Sequence, residues 1–578
     1  MLSMIKKLLS CLGEYKKYAI YTPLVMLGEA GLEILIPFLM AKMVTNGIQA
    51  QDTAYTVRIG IIMIIASILS LICGALGGRF SAKAGIGFGK NLRAKLFDRV
   101  QDFSFSNIDH YSTASLITRL TTDVNHVQNT FMMCIRMMVR SPSMLIGALI
   151  MAITINAKMA LVFAVVIPFL ATMLFLIAIN AYPRFHSMLE RYDRMNGALQ
   201  ENLIAIRVVK AFVRERHEIE KFEASADEVR KTQVAAEKIV LLNSPLMQIS
   251  MYGCILAILW FGGRMAIQGT FDIGELSSFI SYIGQILMSL MMITMIFISL
   301  IISLASIRRI CEVLDETLDI NDHDADPALE CADGSIVFEN VSFSYNKDSD
   351  NLNLEHINLT IHSGETIGII GGTGSAKSTL VQLIPRLYDV TEGRVLVGGH
   401  DVRDYKLDTL RNQVAMVLQK NVLFSGSIRN NLRWGNPDAT DEEIVAACEA
   451  AQAHEFITSF PDGYDTDLGQ GGTNVSGGQK QRLCIARALL KKPKIMILDD
   501  STSAVDTATD SKIRDALRKR HGSITTLIIA QRISSVAEAD RILVMDEGKC
   551  NGFDTHENLL KTNSIYREVY ESQQKGVE

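Results

Sequence analysis

Two patterns of hydrophobic and polar positions divide the chain near residue 305. Before that point, apolar residues run in long unbroken stretches; after it, they come in short runs between glycine-rich turns. Six of the long stretches, near 18–44, 57–80, 133–155, 159–182, 244–267 and 274–304, meet the requirement of about 20 helical residues for crossing ~30 Å of hydrocarbon. Ahead of the first, Met4, Ile5, Leu8, Leu9 and Leu12 recur at helical spacing beside Lys6 and Lys7. That pattern fits an interfacial amphipathic helix or an ordinary frayed terminus. Residues 81–132 and 183–243 are polar but helical in pattern. They read as helices continuing beyond the membrane, with turns at 106–115 and 206–216 able to touch a cytosolic domain, or as plainly solvated surface helices.

Charge orients the spans. Lys16 and Lys17 precede the first; Arg79, Lys83, Lys90, Arg93, Lys95 and Arg99 follow the second; Arg184, Arg191, Arg194, Arg207 and Lys210 follow the fourth; Arg308 and Arg309 follow the sixth. The intervening turns carry one lysine, Lys158, among them. By the positive-inside rule both termini and both long loops are cytosolic. Within the apolar stretches, Glu29 and Glu33 lie one helical turn apart in the first, and Arg136 and Arg140 have the same spacing near the start of the third. Such charges are costly in a bilayer and face a cavity or a partner unless they snorkel to the boundary, and either reading suits the arginines. Met288, Met291, Met292 and Met295 in the sixth stretch offer an adaptable apolar wall or simple packing.

Composition adds little beyond this. The 578 residues are 48% hydrophobic with a net charge of −5, which gives no sign of a nucleic-acid partner. Nine cysteines without paired spacing and eleven scattered histidines suggest neither a disulfide framework nor a zinc site. No signal-peptide cleavage pattern precedes the first span.

Chemistry concentrates after residue 335. Residues 312–335, acidic and containing Pro327, read as a linker, which gives a membrane domain over 1–311 and an α/β domain over 336–578. The apolar run 367–370 reads as a buried strand, followed by Gly371, Gly372, Thr373, Gly374, Ser375, Ala376, Lys377, Ser378 and Thr379. Strand, glycine loop and helix make a P-loop: backbone N–H groups surround phosphate, Lys377 reaches the β- and γ-phosphates, and Ser378 holds Mg²⁺. Ala376 stands where that motif expects its second glycine, so a methyl crowds the loop. Tyr345, at the end of the strand 336–343, can stack on adenine. Gln419 follows the strand 414–418 and can ligand Mg²⁺ or hold the attacking water. Ser476, Gly477, Gly478 and Gln479 open a helix and form a second anion site. The strand 495–498 ends in Asp499, suited to Mg²⁺, and Asp500. The segment Ser501, Thr502, Ser503, Ala504, Val505 and Asp506 comes next, and a later strand ends at Gln531.

In this order, the P-loop, Gln419, the V-S-G-G-Q segment at 475–479, the I-M-I-L-D-D strand end and S-A-V-D resemble an ATP-binding cassette. Fused behind six spans, the chain resembles an ABC exporter half-transporter over nearly its whole length. The resemblance implies a helical membrane domain of six transmembrane helices with long cytosolic extensions plus an α/β P-loop nucleotide-binding domain. It further implies a multi-pass protein of the bacterial plasma membrane, with ATP and Mg²⁺ as cofactors and a small hydrophobic or amphipathic substrate. It also implies a second half-transporter as partner, and coupling helices at the two loop turns. Ser476, Gly477, Gly478 and Gln479 would act on the partner's nucleotide, with Asp506 among the catalytic residues.

Two positions depart from the family pattern. Asp500 replaces the usual hydrolytic Glu, and Gln531 replaces the switch His. Asp falls roughly 1.5 Å short of a water that Glu would orient, and a 1 Å misplacement can cost ~100-fold. With Ala376, three departures meet at one nucleotide site while the signature segment stays intact. This pattern favours a heterodimer in which the chain's own site holds ATP and hydrolyses it slowly. A slow homodimer, an importer on the same fold and a regulatory or channel-like subunit are the alternatives.

Overall fold

The computed structural model describes residues 2–322, 325–346, 351–500, 505–518 and 524–575. Two compact units divide the chain: Met1–Asp102 with Ser112–Glu316, and Phe103–Tyr111 with Thr317–Glu578.

The first unit holds six helical segments long and apolar enough to cross a membrane: Met4–Gln49, Thr53–Gln101, Thr113–Ile155, Ala157–Ile204, Glu215–Ile267 and Ile273–Asp315. We number them spans 1 to 6. At 43 to 53 residues, each is ~65–80 Å long at 1.5 Å per residue, more than twice the hydrocarbon thickness. The polar stretches flanking the apolar runs are thus helix, as their pattern indicates. The turns expected on the side away from the cytosol are short and capped. Asp52 accepts from the Tyr55 N–H at 2.9 Å, Asn156 from the N–H groups of Lys158 and Met159, and Asp272 forms a capping box with Glu275. These caps satisfy N–H groups that a helix start leaves without partners.

Span 1 contains Pro37, which has no N–H to give the carbonyl four residues earlier. Gln285 of span 6 fills that place, its Nε2 donating to the Glu33 carbonyl at 3.1 Å. The Tyr282 hydroxyl donates to the Ile34 carbonyl at 3.0 Å, and Ser278 to the Pro37 carbonyl at 2.6 Å. Without water to substitute, such side-chain donors are what let a membrane helix carry proline. Tyr282, Phe279 and Ile283 are fully buried beside Phe163 and Leu170 of span 4. Leu71, Val165 and Trp260 are left more than 70% exposed, as lipid-facing positions would be.

In the second unit a six-stranded sheet runs in the order Lys549–Asp554, Arg541–Asp546, Thr366–Gly371, Thr525–Ile529, Ile495–Asp499, Val414–Val417. All neighbours are parallel except the first pair. The five parallel strands are near-continuous apolar runs because both faces are covered. A separate antiparallel sheet pairs Ile336–Phe343 with Leu354–Ile361 and Glu392–Val397. The helix Phe105–His110 belongs to this unit, although it lies between spans 2 and 3. The corresponding helix of the second long loop, Ile206–Ala211, lies in the first unit and buries no residue; Phe212 and Val213 beyond it are at least 74% exposed.

Candidate functional site

Strand register assembles the site. Ile369, Ile529 and Asp499 lie side by side on three adjacent parallel strands. The segments that leave those strands, 371–379, Gln531 and Asp500, therefore emerge at one carboxyl edge, where open α/β sheets bind ligands. Val417 pairs with Leu498, so Gln419 leaves the next strand alongside Asp500, and it is exposed.

Within the loop, Gly371 has no room for a side chain: a Cβ would sit 2.2 Å from the Met545 carbonyl oxygen. Ala376 is left-handed, with φ +65° and ψ +25°. That conformation suits glycine and costs an L-residue roughly 1–2 kcal/mol. The crowding expected at Ala376 is thus backbone strain. The Lys377 ammonium lies in the loop, donating to the carbonyls of Gly371 at 2.9 Å and Gly372 at 2.7 Å and approaching Ser375 Oγ at 3.3 Å. Burial lowers its pKa, and Asp499 and Asp500 work in the opposite sense. The helix Lys377–Gln382 is only six residues long, so phosphate recognition rests on loop amides and Lys377 more than on a helix dipole. Gly372 and Gly374 face open space, leaving the cradle accessible.

Ser378 Oγ donates to Asp499 Oδ1 at 2.9 Å. Burial raises the Asp499 pKa, Asp500 adds to the rise, and Ser378 and Lys377 oppose it. A hydroxyl and a carboxylate side by side, with the Gln419 amide on the next strand, form an all-oxygen donor set of the kind Mg²⁺ takes. Asp500 is also left-handed, at φ +48°, and its N–H donates to the Ile529 carbonyl at 3.1 Å. Its carboxylate accepts from Gln531 Nε2 at 2.8 Å. Gln531 is held in turn by Gln573 of the C-terminal helix, whose Nε2 donates to its carbonyl at 2.8 Å.

Tyr345 is about half exposed. Its hydroxyl is 3.1 Å from Thr379 Oγ1, and its ring meets that of Tyr388 edge-on at 5.1 Å. Tyr388 donates to Asp109 Oδ2 at 2.6 Å and packs on Phe105. The candidate adenine platform therefore touches the helix between spans 2 and 3 through one residue. Neither Tyr388, Asp109 nor Gln573 was singled out by sequence; the one available signal was Asp109's place in the 106–115 turn.

Ser476 and Gln479 form a capping box: Ser476 Oγ accepts the Gln479 N–H at 3.3 Å, and the Ser476 N–H donates to Gln479 Oε1 at 2.9 Å. They open the helix Gly477–Leu490 with Gly477 and Gly478 in its first turn. Asp506 accepts the Thr509 N–H at 2.9 Å, which lowers its pKa. Ser501, Thr502, Ser503 and Ala504 lie outside the described residues.

In the membrane unit, Arg140 is paired across to span 1. Its Nη2 donates to both Glu33 oxygens, at 2.7 and 2.9 Å, and its Nε lies 3.6 Å from Glu29 Oε1. Sequence flagged the charges but not this pairing.

Residues 20–290 match the ABC transporter transmembrane region and residues 354–503 the ABC transporter family. The chain is 38% identical to the uncharacterized ABC transporter ATP-binding protein YfiB of Bacillus subtilis, covering 98% of each. It is 32% identical to the putative multidrug export ATP-binding/permease protein YgaD of the same species, over 98% of this chain and 99% of that one. It is 33% identical to an ATP-dependent lipid A-core flippase of Syntrophus aciditrophicus, over 84% and 80%. In three dimensions it superposes on a bacterial Atm1-family ABC exporter with a TM-score of 0.84 at 23% identity, covering 97% of this chain and 98% of the other.

Proposed function

The chain belongs to the ABC transporter family as a multi-pass half-transporter, one membrane region fused to one ATP-binding cassette, and from that premise we propose that it exports hydrophobic or amphipathic compounds as half of a heterodimer. Its own P-loop site retains ATP and hydrolyses it slowly, while its signature segment completes a hydrolysing site on the partner. The observation that carries this reading is the 2.8 Å bond from Gln531 to Asp500. An amide occupies the carboxylate oxygen that would otherwise orient water, and an amide cannot take up the positive charge that a histidine can.

At this chain's site, Lys377 and the loop amides bind and orient the phosphates, Tyr345 supports adenine, and Ser378, Asp499 and Gln419 would hold Mg²⁺. The ion supplies charge neutralisation for the phosphates when bound. Phosphoryl transfer depends on positioning and charge stabilisation, so a shortened carboxylate tied to a neutral amide leaves binding intact and slows cleavage. Ser476, Gly477 and Gly478 present their helix start to the partner's γ-phosphate. Closure of the two cassettes reaches the spans through the helix Phe105–His110, to which Tyr388 is bonded.

The test is ATPase activity of the purified chain alone against that of the co-expressed pair, with substrate uptake into inverted vesicles. The pair should turn over and transport, and the lone chain should bind ATP with little turnover. Robust turnover by the lone chain, unchanged by Gln531→Ala, would sink the asymmetric reading.

A further inference from the structure

Glu29, Glu33, Arg136 and Arg140 form a cluster within the spans that the nucleotide chemistry does not use. Glu29 and Glu33 lie eleven and fifteen residues past Tyr18 in the sequence, ~16 and ~22 Å along a helix, which puts them near the middle of span 1's apolar stretch. Arg140 reaches them from span 3, and Arg136 is one turn away on the same helix face. Span 2 passes close enough that a Cβ on Gly74 would lie 3.1 Å from Glu29 Oε1. Gln285 of span 6 is fixed to the Glu33 backbone.

Two features distinguish the cluster from a purely structural ion pair. First, it is incompletely satisfied. Glu29 Oε2, Gln285 Oε1, Arg136 Nε and Arg140 Nε are all buried without a hydrogen-bond partner. Glu29 itself is 91% buried. Two acceptors and two donors thus lack hydrogen-bond partners, at a depth where an unmet polar group is costly. Second, it can be reached: the side chains of Arg140 and Glu33 remain 26% and 29% exposed.

Charge then selects the ligand. Two carboxylates and two guanidinium groups sum to zero. A simple cation or anion would leave a net charge in a low-dielectric site. A group carrying both signs leaves none and supplies donors and acceptors together.

We propose that Glu29, Glu33, Arg136, Arg140 and Gln285 bind the zwitterionic headgroup of an amphipathic substrate. Its ammonium N–H groups go to Glu29 and Gln285, and its anionic oxygens to Arg136 and Arg140. The apolar tail lies along the methionines, of which Met138 on span 3 and Met288 on span 6 are each more than 50% exposed. The proposal rests on the export reading and names the headgroup that such an exporter takes.

The test is equilibrium binding to the full-length chain in nanodiscs, without nucleotide. Lysophosphatidylethanolamine carries N–H donors and a phosphate; lysophosphatidylcholine has the same charges but no N–H; lysophosphatidic acid is anionic only. The ethanolamine lipid should bind at least tenfold more tightly than either. Glu29→Gln should erase its advantage over the choline lipid to within about twofold, and Arg136→Gln should weaken both alike. Because Glu29→Gln is nearly isosteric and Arg136→Gln changes a different helix, a folding failure in one leaves the other informative. Equal affinity for the ethanolamine and choline lipids, or a preference that survives Glu29→Gln, overturns the assignment. So does tighter binding of lysophosphatidic acid, or equally tight binding of free phosphoethanolamine, which would place the ligand among anions or soluble zwitterions. Failure here leaves vesicle export of other amphiphiles untouched; failure of the export reading appears in the vesicle assay.

Discussion

Restoring the two departures at the nucleotide site should convert a holding site into a hydrolysing one. Gln531 Nε2 lies 2.8 Å from Asp500 Oδ2, and the Asp500 backbone is anchored to Ile529, so the carboxylate cannot move outward without losing the Gln531 bond. Asp500→Glu adds one methylene and extends the carboxylate roughly 1.5 Å toward the water. If a 1 Å error costs ~100-fold, recovering it lowers the barrier by about 2.7 kcal/mol. The gain should not appear in Asp500→Glu alone, because Gln531 still occupies the carboxylate. Contacting residues typically couple by 0.5–3 kcal/mol. The expected pattern is less than about tenfold for either single variant and about 100-fold for Asp500→Glu with Gln531→His. The assay is single-turnover cleavage of ATP photo-cross-linked to this chain's P-loop within the assembled transporter. Wild-type cleavage as fast as that of the double variant would refute the reasoning, as would single-variant effects that simply multiply.

Three further outcomes follow from the same geometry. Ala376→Gly relieves left-handed strain of roughly 1–2 kcal/mol but gives back roughly 0.4–1 kcal/mol in unfolded-chain entropy. The cassette's unfolding transition should therefore rise by about 1–4 °C in calorimetry. Burial lowers the Lys377 pKa, so the folded chain gains stability as pH rises through that lowered value. ATP affinity, which needs the ammonium, falls over the same alkaline window; titration of ATP binding against pH should show this, and Lys377→Arg should flatten the profile. Tyr388→Phe deletes the 2.6 Å bond to Asp109 while keeping the ring beside Tyr345, so ATP affinity should hold within about twofold while vesicle uptake falls severalfold; Asp109→Asn, which can still accept the bond, should fall less.

Much of this was legible because it is local. Span positions follow from unbroken apolar runs, and the P-loop and signature from residues adjacent in sequence. Asp500 and Gln531 could be matched because each lies within two residues of the end of a buried strand. What sequence could not give depends on register between distant segments. Arg140 is near the start of the third apolar stretch and looks like a boundary residue, yet helix packing sets it opposite Glu33. Gln285 reads as an ordinary polar residue until Pro37, far away in span 1, leaves the Glu33 carbonyl without a donor. Tyr388 and Gln573 carry no motif; their roles come from an edge-on ring contact and one amide bond. The strain at Ala376 was visible as a departure, but its nature, a positive φ, needed the backbone.

The central claim is that this chain's nucleotide site keeps ATP while the partner's turns over. Its most direct test is the identity of the nucleotide at each P-loop after the assembled transporter has gone through several cycles with radiolabelled ATP and been cross-linked. Uncleaved ATP on this chain with ADP on the partner is the predicted result. ADP in equal proportion on both would contradict it.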